Sequence, residues 1–299
     1  MKKILLVGSD GYIGSRFFYE NKERYNISCV DIGLFHSRET TLRINYNLLE
    51  SNFINSHDCI VFLAGHSSVG MCDGEILPVL KNNFNDFIEF SEKIDNDKKF
   101  IFISSASVYG KSGNIEVNES YSLIKPINNY DFSKQILEMY SCLIKSKWYS
   151  LRLGTVNGWS PNLRTDTMIN SMNKSLAEKG FIQISNPNMN RAILSIKELC
   201  ECISVIINSE SKCFGIYNLA SFNSTPIGIA KKIQEMTNCE IVESEGNGYS
   251  YDFKISCNKF NRDFDFTFKD GIKEIVNDLN QNASITTAHG GRGKYIGYI

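Results

Sequence analysis

The chain has 299 residues, of which 42% are hydrophobic and 22% charged, and its formal net charge is −1. That composition suits a soluble globular protein with a sizeable core, built as one large α/β domain or two modest ones. Lysines and arginines form no basic stripe, which leaves no electrostatic footprint for nucleic acid, and no apolar run approaches the roughly 20 residues that cross a bilayer.

In chain order, the opening "MKKILLVGSDGYIG" begins with a basic pair and a short apolar run. The run ends at Ser9-Asp10, too soon for the apolar stretch of a signal peptide, and reads as a buried first strand. Gly8, Gly11 and Gly14 follow that strand and open a helix. Glycines at this spacing allow a tight turn, a close backbone approach to a pyrophosphate, and tight helix–strand packing. The anion then meets the positive end of the helix. Asp31 closes the second run, "ISCVDIG", seventeen positions after Gly14. A carboxylate there accepts hydrogen bonds from an adenosine ribose and repels a 2′-phosphate. The nearest following arginine is Arg38, so the pattern favours NAD over NADP.

Next come "TLRINY" and "DCIVFLAG", the long helical "EILPVLKNNFNDFIEFSEKI", and "KKFIFISS". Strand–helix alternation with fully apolar strands predicts a Rossmann-type doubly wound parallel sheet, covered on both faces. "FIFISSASVYG" ends a strand in hydroxyls, where the carboxyl edge of such a sheet faces its ligand crevice; this marks Ser105 and Tyr109.

Two Tyr–Lys pairs with a four-residue spacing follow, Tyr121/Lys125 and Tyr130/Lys134. Lys125 precedes Pro126, and a residue before proline is pushed away from helical geometry. From Tyr130 the apolar residues Phe132, Ile136, Leu137 and Tyr140 keep a helical period, so Tyr130 and Lys134 share one face. A free phenol has a pKa of about 10, and a neighbouring ammonium lowers it toward a useful general base.

After about Gly158 the pattern loosens into mixed, Asn-rich segments. The expected division is residues 1–158 and residues 159–299, the latter a smaller mixed α/β unit, with segments near 190–220 returning to the first. Thr225-Pro226 marks a helix start, and "FKDGIKEIVNDLNQ" reads as a closing amphipathic helix. The Gly-rich tail "ASITTAHGGRGKYIGYI" has no period and is expected to be flexible or docked on a neighbouring surface. Nine cysteines include no Cys-x-x-Cys, and the four histidines do not cluster with them. Reduced cytoplasmic thiols and no metal site are therefore expected.

Taken together, Gly8-x-x-Gly11-x-x-Gly14, Asp31, "LAG", "SSASVYG" and "YDFSK" resemble the extended short-chain dehydrogenase/reductases. Within these the chain is most similar to nucleotide-sugar epimerases and dehydratases of the UDP-glucose 4-epimerase kind. The likeness implies a dinucleotide-binding domain followed by a substrate domain. It implies that Gly8, Gly11, Tyr12, Ile13 and Gly14 bind the pyrophosphate and that Asp31 and Ile32 flank the adenosine ribose. Leu63, Ala64 and Gly65 would line the dinucleotide, and Asn83 would contact it. Ser105, Tyr130 and Lys134 match the catalytic trio, the last two also touching NAD. Arg191, Arg164 and Thr155 fall in substrate-binding segments. A homodimer built through the "EILPVLKNNFNDFIEF" and "YDFSKQILEMY" helices is implied as well.

The chain also departs from the family pattern. Ala106 and Ser107 stand where the dehydratases carry Asp-Glu, which disfavours dehydration. Ser67, Asp131 and Thr155 replace a frequent Lys, Gly and Asn. The expectation is an NAD-dependent epimerase acting at C4 of a nucleotide-activated sugar, with Tyr130 as acid/base. A reductase of a 4-keto nucleotide sugar uses the same residues and is the alternative; a non-catalytic dinucleotide sensor is a further one.

Overall fold

Six apolar strands and one short exposed one, nearly all separated by helices, stack side by side in the computed structural model, which describes residues 1–34, 38–123, 125–245 and 250–282. The sequence reading of the Gly-rich tail falls on residues 283–299, outside the described residues. In chain order, β1 (Lys3–Val7), β2 (Asn26–Asp31), β3 (Leu42–Arg43), β4 (Cys59–Phe62) and β5 (Lys99–Ser105) come first. β6 (Lys111–Val117), β7 (Lys147–Leu153), β8 (Thr155–Asn157), β9 (Phe181–Ile184) and β10 (Arg191–Ser195) follow. β11 (Gly215–Leu219), β12 (Phe222–Ser224), β13 (Glu240–Glu243) and β14 (Asp252–Ile255) complete the set.

The main sheet has the order β11-β7-β5-β4-β1-β2-β3, and every pairing in it is parallel. Both faces are buried, as the apolar runs require. In β1, Ile4 and Leu6 enter one core cluster while Leu5 and Val7 enter the other, following the two-residue period of a strand. The strand order reverses between β1 and β4, so a crevice opens beyond their carboxyl ends. The predicted Rossmann-type sheet is therefore present.

Chain beyond residue 158 contributes to both layers. β11 adds the edge strand next to β7, and the helix Ile196–Asn208 buries Leu199, Ile203 and Ile206 in the main core. A second core gathers around Trp159, Ile169, Ile193, Ile229 and Leu279, under the helices Met168–Lys179, Pro226–Thr237 and Ile272–Gln281. It is flanked by the small sheets β12-β10-β8 and β13-β9. The Thr225 hydroxyl accepts the Gly228 N–H and caps its helix as the sequence predicts.

Two elements differ from the sequence expectation. "TLRINY" forms a strand only at Leu42–Arg43, because the Asn45 side chain accepts the Asn47 N–H and starts a 3₁₀ turn. The long helix is interrupted by a π turn at Lys81–Asn85, between Ile76–Leu80 and Asp86–Ser91. Such turns often accompany functional sites, and this one carries Asn83. Among the described residues no helix is long and apolar enough to cross a membrane, and no cluster of side chains could hold a metal ion.

Candidate active site

The turn after β1 explains its own glycines. Gly8 has φ +80°, and a Cβ there would stand 2.6 Å from the Ala64 nitrogen. A Cβ on Gly14 would lie 2.2 Å from the Gly8 carbonyl oxygen. Both glycines are demanded by the fold. Gly11 is not: its Cβ would meet only the Gly8 oxygen, at an ordinary 3.4 Å. The bare face at Gly11, at the start of the Tyr12–Asn21 helix, is thus a cradle that protein packing does not require. A phosphate approaching the helix N-terminus fits it.

The Asp31 carboxylate accepts the N–H of Asp10 (3.0 Å) and of Gly33 (2.8 Å). Burial raises its pKa, and the two N–H groups oppose that. Ile32 is exposed beside it. The Tyr12 side chain faces elsewhere: its hydroxyl donates to the Gly158 carbonyl (2.7 Å) and receives Asn170 Nδ2 (3.2 Å), and burial pushes its pKa far up. Ile13 packs against the main core. At the end of β4, Leu63 donates to the Val7 carbonyl (2.8 Å), and Ala64 backs Gly8. Asn83 is buried, and its amide is spent inside the protein. It accepts the His66 N–H (2.7 Å) and donates to the His66 carbonyl (3.1 Å) and to Ser133 Oγ (3.1 Å). Asn83 therefore fixes the Gly65–His66 loop to the helix that carries Tyr130.

That helix, Asn129–Ser141, is capped by Asn128, whose side chain accepts the Asp131 N–H (2.9 Å). Tyr121 and Lys125 lie outside any helix. Ser105 Oγ accepts the Ser107 N–H (3.1 Å) and hydrogen-bonds the Tyr130 phenol. Lys134 Nζ lies 5.7 Å from the centre of the Tyr130 ring and donates to the Ile103 carbonyl (3.1 Å). Ser105, Tyr130 and Lys134 thus come together at the carboxyl edge of β5. Burial lowers the Lys134 pKa to about 8, with Cys72 and Glu138 opposing. The phenol departs from the sequence expectation. Burial pushes Tyr130 up to about 12, outweighing the Ser105 hydrogen bond and the Arg164 charge that favour its ionised form.

A buried network holds this helix to the sheet. Arg152 grips Glu138 with two hydrogen bonds (2.8 and 2.7 Å) and donates to the Tyr109 hydroxyl (2.6 Å), which donates to Asn218 (2.9 Å). Tyr109, expected at the crevice, is instead wholly buried. Glu138 lies one helical turn beyond Lys134, so the network sets the lysine's angle.

On the other side of the crevice, Arg164 is paired with Asp166 (2.6 Å) and reaches the Ser67 carbonyl (3.3 Å). Its charge acts on both Tyr130 and Tyr12, so it stands between the two arms of the site. Arg191, in β10, donates to Ser250 and to the Asn190 carbonyl (3.2 Å). Thr155 pairs with Ile193 through β8 and is half-buried. Sequence reasoning missed the partner of Asp131: its carboxylate, 1% exposed, accepts the Tyr251 hydroxyl (2.9 Å) and Asn128 Nδ2 (3.0 Å). Tyr251 follows Ser250, so one short segment touches both Arg191 and the start of the Tyr130 helix. The departure from Gly at position 131 was the available signal.

A family model described as the NAD dependent epimerase/dehydratase family matches residues 4–220. Among curated proteins, Protein CapI of Staphylococcus aureus is 23% identical over 328 residues, covering 92% of this chain and 97% of that protein. Among solved structures, the UDP-glucuronic acid 4-epimerase of Bacillus cereus superposes with a TM-score of 0.80 at 18% identity, covering 95% of this chain and 99% of that one. A NAD-dependent NDP-hexosamine 5,6-dehydratase, TunA, gives 0.81 at 18% identity over 95% and 98%.

Proposed function

The chain belongs to the NAD-dependent epimerase/dehydratase family, and we propose that its own reaction is epimerisation at C4 of a nucleotide-activated sugar. The observation that carries this is the meeting of Ser105, Tyr130 and Lys134 beside a phosphate cradle, with no acid at Ala106 or Ser107. The name of the Bacillus cereus structure, a 4-epimerase, supports the reading. The TunA likeness supports only the shared fold, since the acids expected of a dehydratase are absent here.

NAD is the family's cofactor, and Gly8, Gly11, Gly14, Asp31 and the Leu63–Gly65 segment would hold it. When bound, it supplies a reversible hydride acceptor for the sugar carbon. Tyr130 takes the proton of the sugar hydroxyl and later returns it, while Ser105 hydrogen-bonds the same oxygen. In the protein alone Tyr130 keeps its proton, pushed up to about 12. Lys134, charged below about 8, and Arg164 are the chain's own cations on the side of ionisation. Arg191 and Arg164 would hold the substrate's diphosphate, Thr155 its sugar. The cycle is redox-neutral, which suits a tightly held cofactor.

The test is to supply the NAD-loaded protein with a panel of UDP-, GDP-, CDP- and dTDP-sugars. The expected result is isomer formation without added cofactor. Stoichiometric NAD(P)H consumption on a keto-sugar would instead make the chain a reductase. The reading also includes a homodimer, supported by the apolar surface at Leu77 (73% exposed) and Met139 (73% exposed) on the two helices concerned. Light scattering tests it, with Met139→Glu expected to give monomers. All nine cysteines are free, which suits a reducing cytoplasm.

A further inference from the structure

Asp10 sits in the phosphate turn itself, between Gly8 and Gly11, and is 1% exposed. A carboxylate there opposes the turn's task. The helix N-terminus attracts an anion from outside, and a buried fixed anion beside it repels that anion. The chain answers with Arg38, whose Nη2 stands 2.7 Å from Asp10 Oδ1. The same nitrogen donates to the Ser9 carbonyl (3.0 Å) and approaches Cys29 Sγ (3.5 Å). The Arg38 backbone N–H donates to Asp10 Oδ2 (3.3 Å), and Thr41 Oγ1 donates to Oδ1 (3.0 Å). The guanidinium lies 4.1 Å over the centre of the Phe18 ring. Its position is thus fixed from three sides.

Asp31 shares this corner: it accepts the Asp10 N–H (3.0 Å) and feels the Arg38 charge. Two acids and one guanidinium therefore meet where the sequence expects the adenosine ribose. Arg38 has no comparable ion pair with Asp31; it is committed to Asp10. Its Nε is buried with no partner among the described residues, so the side chain retains a donor for a ligand once that commitment ends.

We propose that Asp10 is a cofactor-specificity residue: by holding Arg38 it neutralises the phosphate turn for NAD and keeps that guanidinium from a 2′-phosphate. Discrimination against NADP then has two parts, the charge of Asp31 and the capture of Arg38. The pyrophosphate contributes the same charge to NAD and NADP, so only the second part depends on Asp10.

The test measures NAD and NADP affinities by calorimetry on full-length protein stripped of nucleotide. The variants are Asp10→Asn, Arg38→Ala and the double variant. Asp10→Asn keeps the Oδ1 acceptor that Thr41 and Arg38 share but removes the charge that commits the guanidinium to it. It is expected to raise the affinity for NADP relative to NAD about tenfold, the size of one charge-assisted contact. Arg38→Ala leaves Asp10 as an unpaired buried anion and is expected to weaken NAD about tenfold. In the double variant NAD affinity returns and NADP stays weak. If Arg38→Ala does not fold, the Asp10→Asn ratio and the double variant still decide. The proposal is overturned if Asp10→Asn leaves the NAD/NADP ratio unchanged. It is overturned too if the double variant binds NAD no better than Arg38→Ala, or if the unaltered protein binds NADP as tightly as NAD.

Discussion

The parallel-sheet half of this molecule and the half built around Trp159 are constructed differently. The first is a parallel sheet whose strands are apolar on both faces, with a turn fixed by glycines that have no steric alternative. The second packs a smaller apolar core under short sheets and adds many side-chain hydrogen bonds. Asn157 accepts the Ile169 N–H (2.8 Å), and Asp252 accepts the N–H (2.7 Å) and side chain (2.8 Å) of Asn190. The halves are tied by Arg16, which grips Asp278 (3.0 and 3.3 Å) and the Trp159 carbonyl (2.9 Å).

The largest expected effect separates chemistry from both halves. Tyr130→Phe should lower turnover by about a thousandfold, with NAD affinity and melting temperature unchanged. Retained activity would remove Tyr130 from the mechanism. Next comes a contrast inside the parallel-sheet half. Gly14→Ala forces a Cβ to 2.2 Å from the Gly8 oxygen and should cost about 3 kcal/mol of stability. Gly11→Ala meets nothing closer than 3.4 Å, so it should fold normally yet lose NAD binding. Equal stability losses at the two positions would contradict the cradle.

The Arg16 tie between the halves comes next. Arg16→Met leaves Asp278 half-covered without its partner and should cost about 3 kcal/mol, read by denaturant unfolding. A single cooperative transition that persists unshifted would mean the halves do not depend on this bridge. The last contrast concerns Lys134. Its proton is held less tightly when folded, about 8, than in the unfolded chain. The cost of burying its charge is fully present below about 8 and is relieved as pH rises from there toward about 10.4, the unfolded value. Lys134→Met should therefore raise stability by about 3 kcal/mol at neutral pH while abolishing turnover. That gain should fade above pH 8 and be gone near the unfolded value. A gain that is constant with pH would show that the buried ammonium carries no such cost.

The same difference explains what was legible in the sequence. The parallel sheet, the glycine turn and the Tyr130 helix follow from local spacing, and Pro126 was enough to set aside Tyr121 and Lys125. The rest depends on partners far along the chain. Asp131 meets Tyr251 120 positions away, and Arg164 acts on Tyr130 from another element altogether. A carboxylate within a phosphate turn has no period to reveal it, so Asp10 became meaningful only beside Arg38. The rise of the Tyr130 pKa was hidden for a related reason. Spacing reveals a neighbouring lysine, but not how much water the phenol has lost.

The central claim is a redox-neutral inversion at C4 served by Tyr130. It is tested most directly with a nucleotide sugar that carries deuterium at C4, given to the NAD-loaded protein and followed by mass spectrometry and NMR. The expected product is the C4 epimer with deuterium still on C4, with no net reduction of the cofactor. Deuterium lost to solvent, a keto-sugar accumulating with reduced cofactor, or a product lighter by one water would contradict it.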